Sequence, residues 1–324
     1  MFFIFQSVII QILLCAGMLL YFRIADRYNI IDKPNERSSH NYVTIRGGGI
    51  VFWMAGLIYV LLHFENGLFF FIGLTLISTV SLWDDITSLP NKIRLTVHFL
   101  AITCVFYALG IFSDLPWYWI LVAYTFFAGI LNAYNFMDGI NGITGLYSMV
   151  ILLSLLAINL EWTSFTDMEL IVYAILSCVV FLFFNFRKRA KCFAGDIGSM
   201  AIAFWILTLL LQLMLKDRSL IWILFLAVYG VDAVGTILHR LYLKQNIFKA
   251  HRLHFYQILS NECGISHRKV ASLYAFVQLL ICSIVIYAHF YLRPYEGWIG
   301  AGVVILLIRL YLLKFKCIEK YSNR

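Results

Sequence analysis

The sequence predicts an all-α, polytopic integral membrane protein on three observations. Hydrophobic residues make up 62% of the 324 and charged residues only 13%, far below the roughly one quarter charged residues of a soluble domain. Apolar runs near the roughly 20 residues that cross a bilayer recur from one end to the other. With 4 Pro in the whole chain, little interrupts them.

Eleven spans are expected: Phe2 to Phe22, Gly47 to Phe64, Leu68 to Trp83, Ile93 to Phe112, Trp117 to Phe136, Ile143 to Leu160, Glu169 to Phe186, Ile197 to Leu215, Leu220 to Leu238, Val270 to Phe290 and Trp298 to Leu313. The first opens MFFIFQ, with no basic leader and no small-residue cleavage site, and reads as a retained helix. Lys and Arg set the orientation. Of 25, the segments after odd-numbered spans hold 21 and the opposite side three, Lys216, Arg218 and Arg293. The N-terminus is therefore expected in the periplasm and the C-terminus in the cytoplasm. This asymmetry and attraction to anionic lipid account for the net charge of +8, so nucleic acid is not an expected partner. The 7 Cys form no C-x-x-C pair, so no disulfide framework or thiolate metal site is implied. Residues 1–324 read as one membrane domain, without repeat or low-complexity tract.

Polar groups sort to the cytoplasmic face. N-A-Y-N-F-M-D-G-I-N-G, Asn132 to Gly142, spaces two amides and Asp138 at i, i+3 and i+6, which on a continuing helix stacks them on one face. Gly139 and Gly142 let the backbone turn and approach a ligand; an ordinary helix end with a Gly-Asn turn would carry the same residues. Asp84 and Asp85 follow the third span and could equally be a solvated helix end. Asp196 follows the seventh in C-F-A-G-D-I-G-S, where it could merely cap the next helix. His239, Arg240, His251, Arg252 and His254 follow the ninth and could be plain basic surface. Asp232 sits within that ninth span, where a charge costs about 2.5 to 3.5 kcal/mol, so a polar partner or support of the His/Arg loop is expected.

Acidic loops and a basic loop at one face suggest phosphate chemistry. Carboxylates repel phosphates unless a cation stands between, and Mg2+ uses one or two carboxylates, water and phosphate oxygens. His251 and His254 at i, i+3 lack a third zinc ligand. Two rivals are a secondary transporter using Asp232 and the loop aspartates, and a structural scaffold. Clustering at one face argues against the first, and the polar loops against the second.

D-D-I-T-S-L-P, N-A-Y-N-F-M-D-G-I-N-G, F-A-G-D-I-G-S and H-R-L-H, with D-K-P-N-E-R-S-S-H and R-G-G-G near the N-terminus, together resemble the polyprenyl-phosphate N-acetylhexosamine-1-phosphate transferases over nearly the whole chain. The resemblance implies a bacterial inner-membrane enzyme, active at the cytoplasmic face, that transfers a sugar 1-phosphate from a UDP-N-acetylhexosamine to undecaprenyl phosphate. Its cofactor would be Mg2+, replaceable by Mn2+, and a homodimer is left open. Carried over, Asp196 would be the principal metal ligand, with Asp138 close by and Asp84 and Asp85 flanking the reacting phosphates. Asn135, Gly139 and Asn141 would lie along the nucleotide and Phe193 would stack on uracil. Asn185 would be a further polar site residue, and Arg252 and His254 would contact sugar or diphosphate. Two departures, Asn141 for the family's second Asp and Tyr256-Gln257 for its closing histidines, imply a surface-polysaccharide branch. They also point to the loop Phe248 to Gln257 as the sugar reader.

Overall fold

A computed structural model describes residues 2–32, 42–246 and 251–322. Its elements in order are α1 (Phe2–Arg27), the short strands β1 (Ile31–Asp32) and β2 (Thr44–Ile45), α2 (Ile50–Leu62), α3 (Phe64–Ile86), α4 (Asn91–Ala108), α5 (Ile111–Asp114), α6 (Trp117–Phe136), α7 (Ile143–Glu161), α8 (Met168–Asn185), α9 (Gly195–Asp217), a 3-10 turn (Ile221–Leu226), α10 (Ala227–Tyr242), α11 (Phe255–Gln257) with a π turn (Ile258–Glu262), α12 (His267–Tyr291), a second 3-10 turn (Arg293–Tyr295) and α13 (Glu296–Ser322). The protein is all-α and polytopic. Among the described residues, nine helices are long and apolar enough to cross a membrane. Each expected span meets a helix, but α2 has only 13 residues, about 20 Å at 1.5 Å per residue, against the roughly 30 Å of a hydrocarbon core.

Of its most apolar stretch, α9 buries 83% and α1 17%; α9 is therefore the central helix and α1 a peripheral one. Around α9 pack α3, α6, α2 and α7, while α12 lies along α7 and α10 along α13. One buried cluster runs from Ile10 in α1 to Leu307 in α13.

The ninth expected span, read as continuous, instead starts as a 3-10 turn and becomes α10 at Ala227. Such a change of helix type leaves backbone groups without intrahelical partners, which lipid cannot satisfy. Gln278 of α12, fully buried, donates to the Leu224 carbonyl at 3.0 Å and accepts from the Val228 N–H at 3.1 Å. Its Oε1 also takes the Tyr147 hydroxyl at 2.7 Å.

Strands β1 and β2 pair antiparallel, Ile31 opposite Ile45. Ile45 in turn bridges Cys192 in parallel. The Phe193 N–H reaches the Ile45 carbonyl at 2.8 Å, and the Gly48 and Gly49 N–H groups reach the Phe193 and Ala194 carbonyls at 2.8 and 3.0 Å. These bonds lay the Arg46-Gly-Gly-Gly turn across the N-terminus of α9. A Cβ on Gly49 would overlap the Gly198 Cα, so only glycine allows α2 to start this close to α9.

Candidate functional site

The first turn of a helix exposes four backbone N–H groups that need acceptors. At α9 the acceptor is Asp85, on the last turn of α3: Oδ1 takes the Asp196 N–H at 3.0 Å and Oδ2 the Ile197 N–H at 3.1 Å. The expectation that Asp196 might cap its own helix is thus corrected, and the cap comes from another helix. Gly195 adopts φ +72°, and a Cβ there would press on Asp85 Oδ2 at 2.6 Å, so the glycine admits the capping carboxylate. Because Asp85 satisfies these amides, the Asp196 carboxylate is left facing the loops.

Two arginines knit the aspartates together. Arg46 Nε lies 2.7 Å from Asp85 Oδ1, and its terminal nitrogen lies 3.5 Å from Asp196 Oδ1. Arg94 lies 2.9 Å from Asp84 Oδ2 and 3.9 Å from Asp196 Oδ2. The other oxygen of Asp84 accepts the Leu89 N–H at 2.7 Å, closing the turn before α4. Burial opposes the charge on Arg46, but Asp85, Asp196 and Asp32 outweigh it and hold the guanidinium above its ordinary pKa. Neither arginine had been singled out for a site role; the readable signals were the R-G-G-G turn and the N-K-I-R start of α4.

The stretch 132–142 behaves differently from its spacing. The helix α6 ends at Phe136, so Asp138 stands beyond it and the expected i, i+3, i+6 stack does not form. Asn132 turns back to the Ala128 carbonyl at 2.8 Å. The Asn135 Oδ1 accepts from Ser199 of α9 at 2.7 Å, and its amide lies beside Asp196. Asp138 accepts the Thr144 hydroxyl at 2.6 Å. Burial pushes its carboxyl up to about 6, Thr144 opposing, Asp196 adding to the rise and Arg46 lowering it. Gly139 is exposed, with the Tyr256 hydroxyl packed against it.

Asn141 and Asn185 are 2% and 4% exposed and work within the loop. The Asn141 amide donates to the Arg187 carbonyl at 3.0 Å and the Tyr42 hydroxyl at 3.3 Å. Asn185 accepts the Gly142 N–H at 2.6 Å and donates to the Cys192 carbonyl at 2.8 Å. Asn141, expected along the nucleotide, and Asn185, expected as a further polar site residue, both fasten the 138–142 loop to the 185–192 loop, and the buried Oδ1 of Asn141 has no hydrogen-bond partner among the described residues. Phe193 is half-buried beside the Arg46 turn.

Asp232 does support the His/Arg loop, through His254: the Nδ1 lies 3.3 Å from Asp232 Oδ1. The same carboxylate accepts from the Phe255 and Tyr256 N–H groups at 2.9 and 3.3 Å and from the Tyr274 hydroxyl at 2.7 Å. Arg252 is half-buried, and His251 stacks near His254 with centroids 4.9 Å apart. Burial, then His254 and Arg240, lower the His251 ring to about 4. Residues 33–40 of the expected first loop and 248–250 of the expected sugar-reading loop lie outside the described residues. Within the latter loop, Tyr256 is fully buried with its hydroxyl on the Phe136 carbonyl at 3.0 Å, and the Gln257 Oε1 accepts the His254 N–H at 3.3 Å. These two departures from the family pattern therefore brace the loop from inside, through the Tyr256 hydroxyl and the Gln257 amide oxygen.

Among the described residues no three His, Cys, Asp or Glu side chains converge as a ready metal cage. Mg2+ requires less, since it keeps several waters and takes one or two carboxylates. Asp196 and Asp138 fit that need: both offer hard oxygens, each is partly exposed, and the charge of Asp196 acts on Asp138. The separations of 3.5 and 3.9 Å to the arginines leave Asp196 without a tight ion pair.

The sequence profile of glycosyl transferase family 4 matches residues 68–214. The chain is 26% identical over 307 residues to the "probable undecaprenyl-phosphate N-acetylglucosaminyl 1-phosphate transferase" of Bacillus subtilis (strain 168), covering 88% of this chain and 84% of that one. It is 25% identical over 351 aligned positions to the undecaprenyl-phosphate alpha-N-acetylglucosaminyl 1-phosphate transferase of Escherichia coli (strain K12), covering 96% and 90%. A third relative, of the same name in Thermotoga maritima, is 26% identical over 244 residues, covering 74% and 76%. Asp84, Asp85, Asp138 and Asp196 all fall in the family-matched segment; Arg46 and His254 come to it from outside by tertiary contact, with Asp232 behind His254.

Proposed function

We propose that this protein transfers an N-acetylhexosamine 1-phosphate from a UDP-sugar to undecaprenyl phosphate, releasing UMP, as the first step in building a surface polysaccharide. The observation that carries the reading is that Asp85 caps α9 and so leaves Asp196 beside Arg46 and Arg94, its charge acting on Asp138. Two arginines and paired carboxylates suit a phosphate brought in with a divalent cation. The names of the relatives support the acceptor lipid and the nucleotide-sugar class.

Mg2+ bound at Asp196 and Asp138 would supply charge neutralisation for the diphosphate. The protein does the rest by holding and excluding. Arg46 and Arg94 oppose phosphate charge, and Asp84 and Asp85 hold the arginines. The lipid phosphate, with a second pKa of about 6, is largely dianionic near neutral pH and attacks the donor's β phosphorus without a strong base. A bond forms from the lipid phosphate oxygen to that phosphorus, the bridging P–O bond breaks, and UMP leaves with its electron pair. Asp85 is an unsuitable nucleophile, since both its oxygens accept backbone N–H groups and one also faces Arg46. A transport role for Asp232 is disfavoured because its oxygens are occupied by side chains and backbone amides.

The chain lies in the bacterial inner membrane with eleven spans, its N-terminus in the periplasm and this site at the cytoplasmic face. Membranes holding the protein, given undecaprenyl phosphate, Mg2+ and a panel of UDP-N-acetylhexosamines, should release UMP only when lipid, sugar nucleotide and cation are all present. Reporter fusions after Asp217 and after Arg324 should report opposite sides of the membrane; the same side for both would end the eleven-span arrangement.

A further inference from the structure

The start of α12 carries Arg268 and Lys269 in a turn without an acidic residue. Both are exposed, and among the described residues no carboxylate lies within ion-pair distance of either. They form one rim of an open cavity of about 490 Å³, whose walls include Ser272, Leu273 and Phe276 of α12 and Phe186 at the end of α8. Two unanswered cations above a set of apolar side chains are the complement of an anionic amphiphile.

The depth in the bilayer agrees. Lys269, Leu273, Phe276, Leu280, Ile284 and Tyr287 follow one another at the spacing of a single helix face, and from Leu273 onward they are 44 to 57% exposed. At 1.5 Å per residue, Lys269 to Tyr287 spans about 27 Å, against the roughly 30 Å of a hydrocarbon core. Tyr287 stacks on the equally exposed Tyr291, an aromatic pair of the kind that marks where a helix leaves the lipid. Arg268 and Lys269 therefore stand at headgroup depth at the opposite interface. The cavity also touches the loop that carries Asp138. Its α8 wall, Phe186, fills the space beside Gly142, where a Cβ would overlap the ring, and His267, next to Arg268, accepts the Asn141 N–H through Nδ1 at 3.5 Å.

We propose that this groove binds an anionic glycerophospholipid of the surrounding bilayer, its phosphate taken by Arg268 and Lys269 and one acyl chain laid along Leu273 and Phe276, and that occupancy braces the 138–142 loop from behind. The headgroup supplies the anion that the first turn of α12 lacks. A soluble phosphate would meet the same cations without using the apolar stripe, and a zwitterionic lipid would use the stripe while bringing its own cation to the rim.

Native mass spectrometry of the full chain, released from micelles holding equal amounts of phosphatidylglycerol and phosphatidylcholine, should show phosphatidylglycerol retained preferentially. R268Q/K269Q should weaken that retention about 25-fold, roughly fivefold for each cation lost near a membrane surface. R23Q/R27Q, which removes two exposed cations from the end of α1, should leave it unchanged. S272W keeps the rim cations and fills the groove; it should abolish selective retention, and it decides if R268Q/K269Q does not fold. In hydrogen exchange, phosphatidylglycerol should slow the 138–142 amides of the wild type and not those of S272W. Equal retention of the two lipids, an equal loss in R23Q/R27Q, or selective retention surviving in S272W would overturn the site. Displacement by inorganic phosphate or by equimolar undecaprenyl phosphate would overturn the choice of a bilayer lipid, and unchanged exchange at 138–142 would overturn the bracing. No sugar nucleotide or turnover enters these measurements, so they stand whatever becomes of the transferase reading.

Discussion

The Arg46/Asp85/Asp196 cluster and the Asp232/His254 cluster both place carboxylates against cationic or polar groups, yet they are built in opposite ways. In the first, three aspartates share two arginines, and side-chain exposure runs from 0% for Asp85 to 36% for Arg46; distances to Asp196 are loose. In the second, one carboxylate 3% exposed collects several donors from α10, α11 and α12. The first can exchange a partner for a ligand at little cost, because water already reaches it and its charges are mutually screened. The second is a fixed support, since breaking it strands a buried charge. Within the first cluster the same division recurs: Asp85 is committed and Asp196 is available.

That division is open to attack at its strongest point. Asp196→Asn should lower kcat for UMP release at least about 100-fold, the size of effect seen when one charge-stabilising group is lost at a reacting centre, while thermal unfolding in detergent stays close to wild type. Near-normal turnover would remove Asp196 from the site. Asp85→Asn should behave the other way round as well as impairing turnover: losing a buried, charge-assisted helix cap costs about 2 to 3 kcal/mol, read as a lower unfolding temperature. If Asp85→Asn melts like wild type, the assignment of Asp85 as the cap is wrong.

A smaller effect separates Asp138 from its neighbours. Its carboxyl is raised to about 6, burial being the main cause, so it is protonated below that pH and cannot hold a cation. Apparent Mg2+ affinity should weaken as pH falls through about 6, measured by Mg2+ titration of UMP release at several pH values. Without divalent cation the sign for stability is the reverse: a raised carboxyl contributes stability that is complete below its ordinary value and lost as pH rises through about 6. Mg2+ should therefore stabilise the protein more at pH 7.5 than at pH 5, and equal stabilisation at both would take Asp138 out of the cation site. The smallest change expected is Tyr256→Phe, which removes one bond to the Phe136 carbonyl and should cost about 1 kcal/mol without altering preference among UDP-sugars. A changed preference would return Tyr256 to the sugar-reading role that its burial argues against.

Much of the fold was legible because a membrane imposes a period and a composition that a single chain must display. The apolar runs marked where helices would lie, and Asp84, Asp85, Asp138 and Asp196 were marked by standing where those runs stop. Spacing failed at Asp138, since a helix of the expected length ends at Phe136 and nothing local says whether the backbone continues. The loop-to-loop bonds that Asn141 and Asn185 make were not legible either, because the partners of Asn141 and Gly142 lie more than 40 residues away.

By itself, then, the sequence determined an all-α membrane chain with its acidic loops at the ends of apolar runs, since hydropathy and charge are properties of each segment alone. Which carboxylate caps α9, which is left for a ligand, and which nitrogen of His254 is held by Asp232 were decided only in three dimensions. Asp85 and Asp196 are 111 residues apart and His254 and Asp232 are 22 apart. A carboxylate has the same chemistry in both cases, and its role follows from which donors the packed helices bring to it.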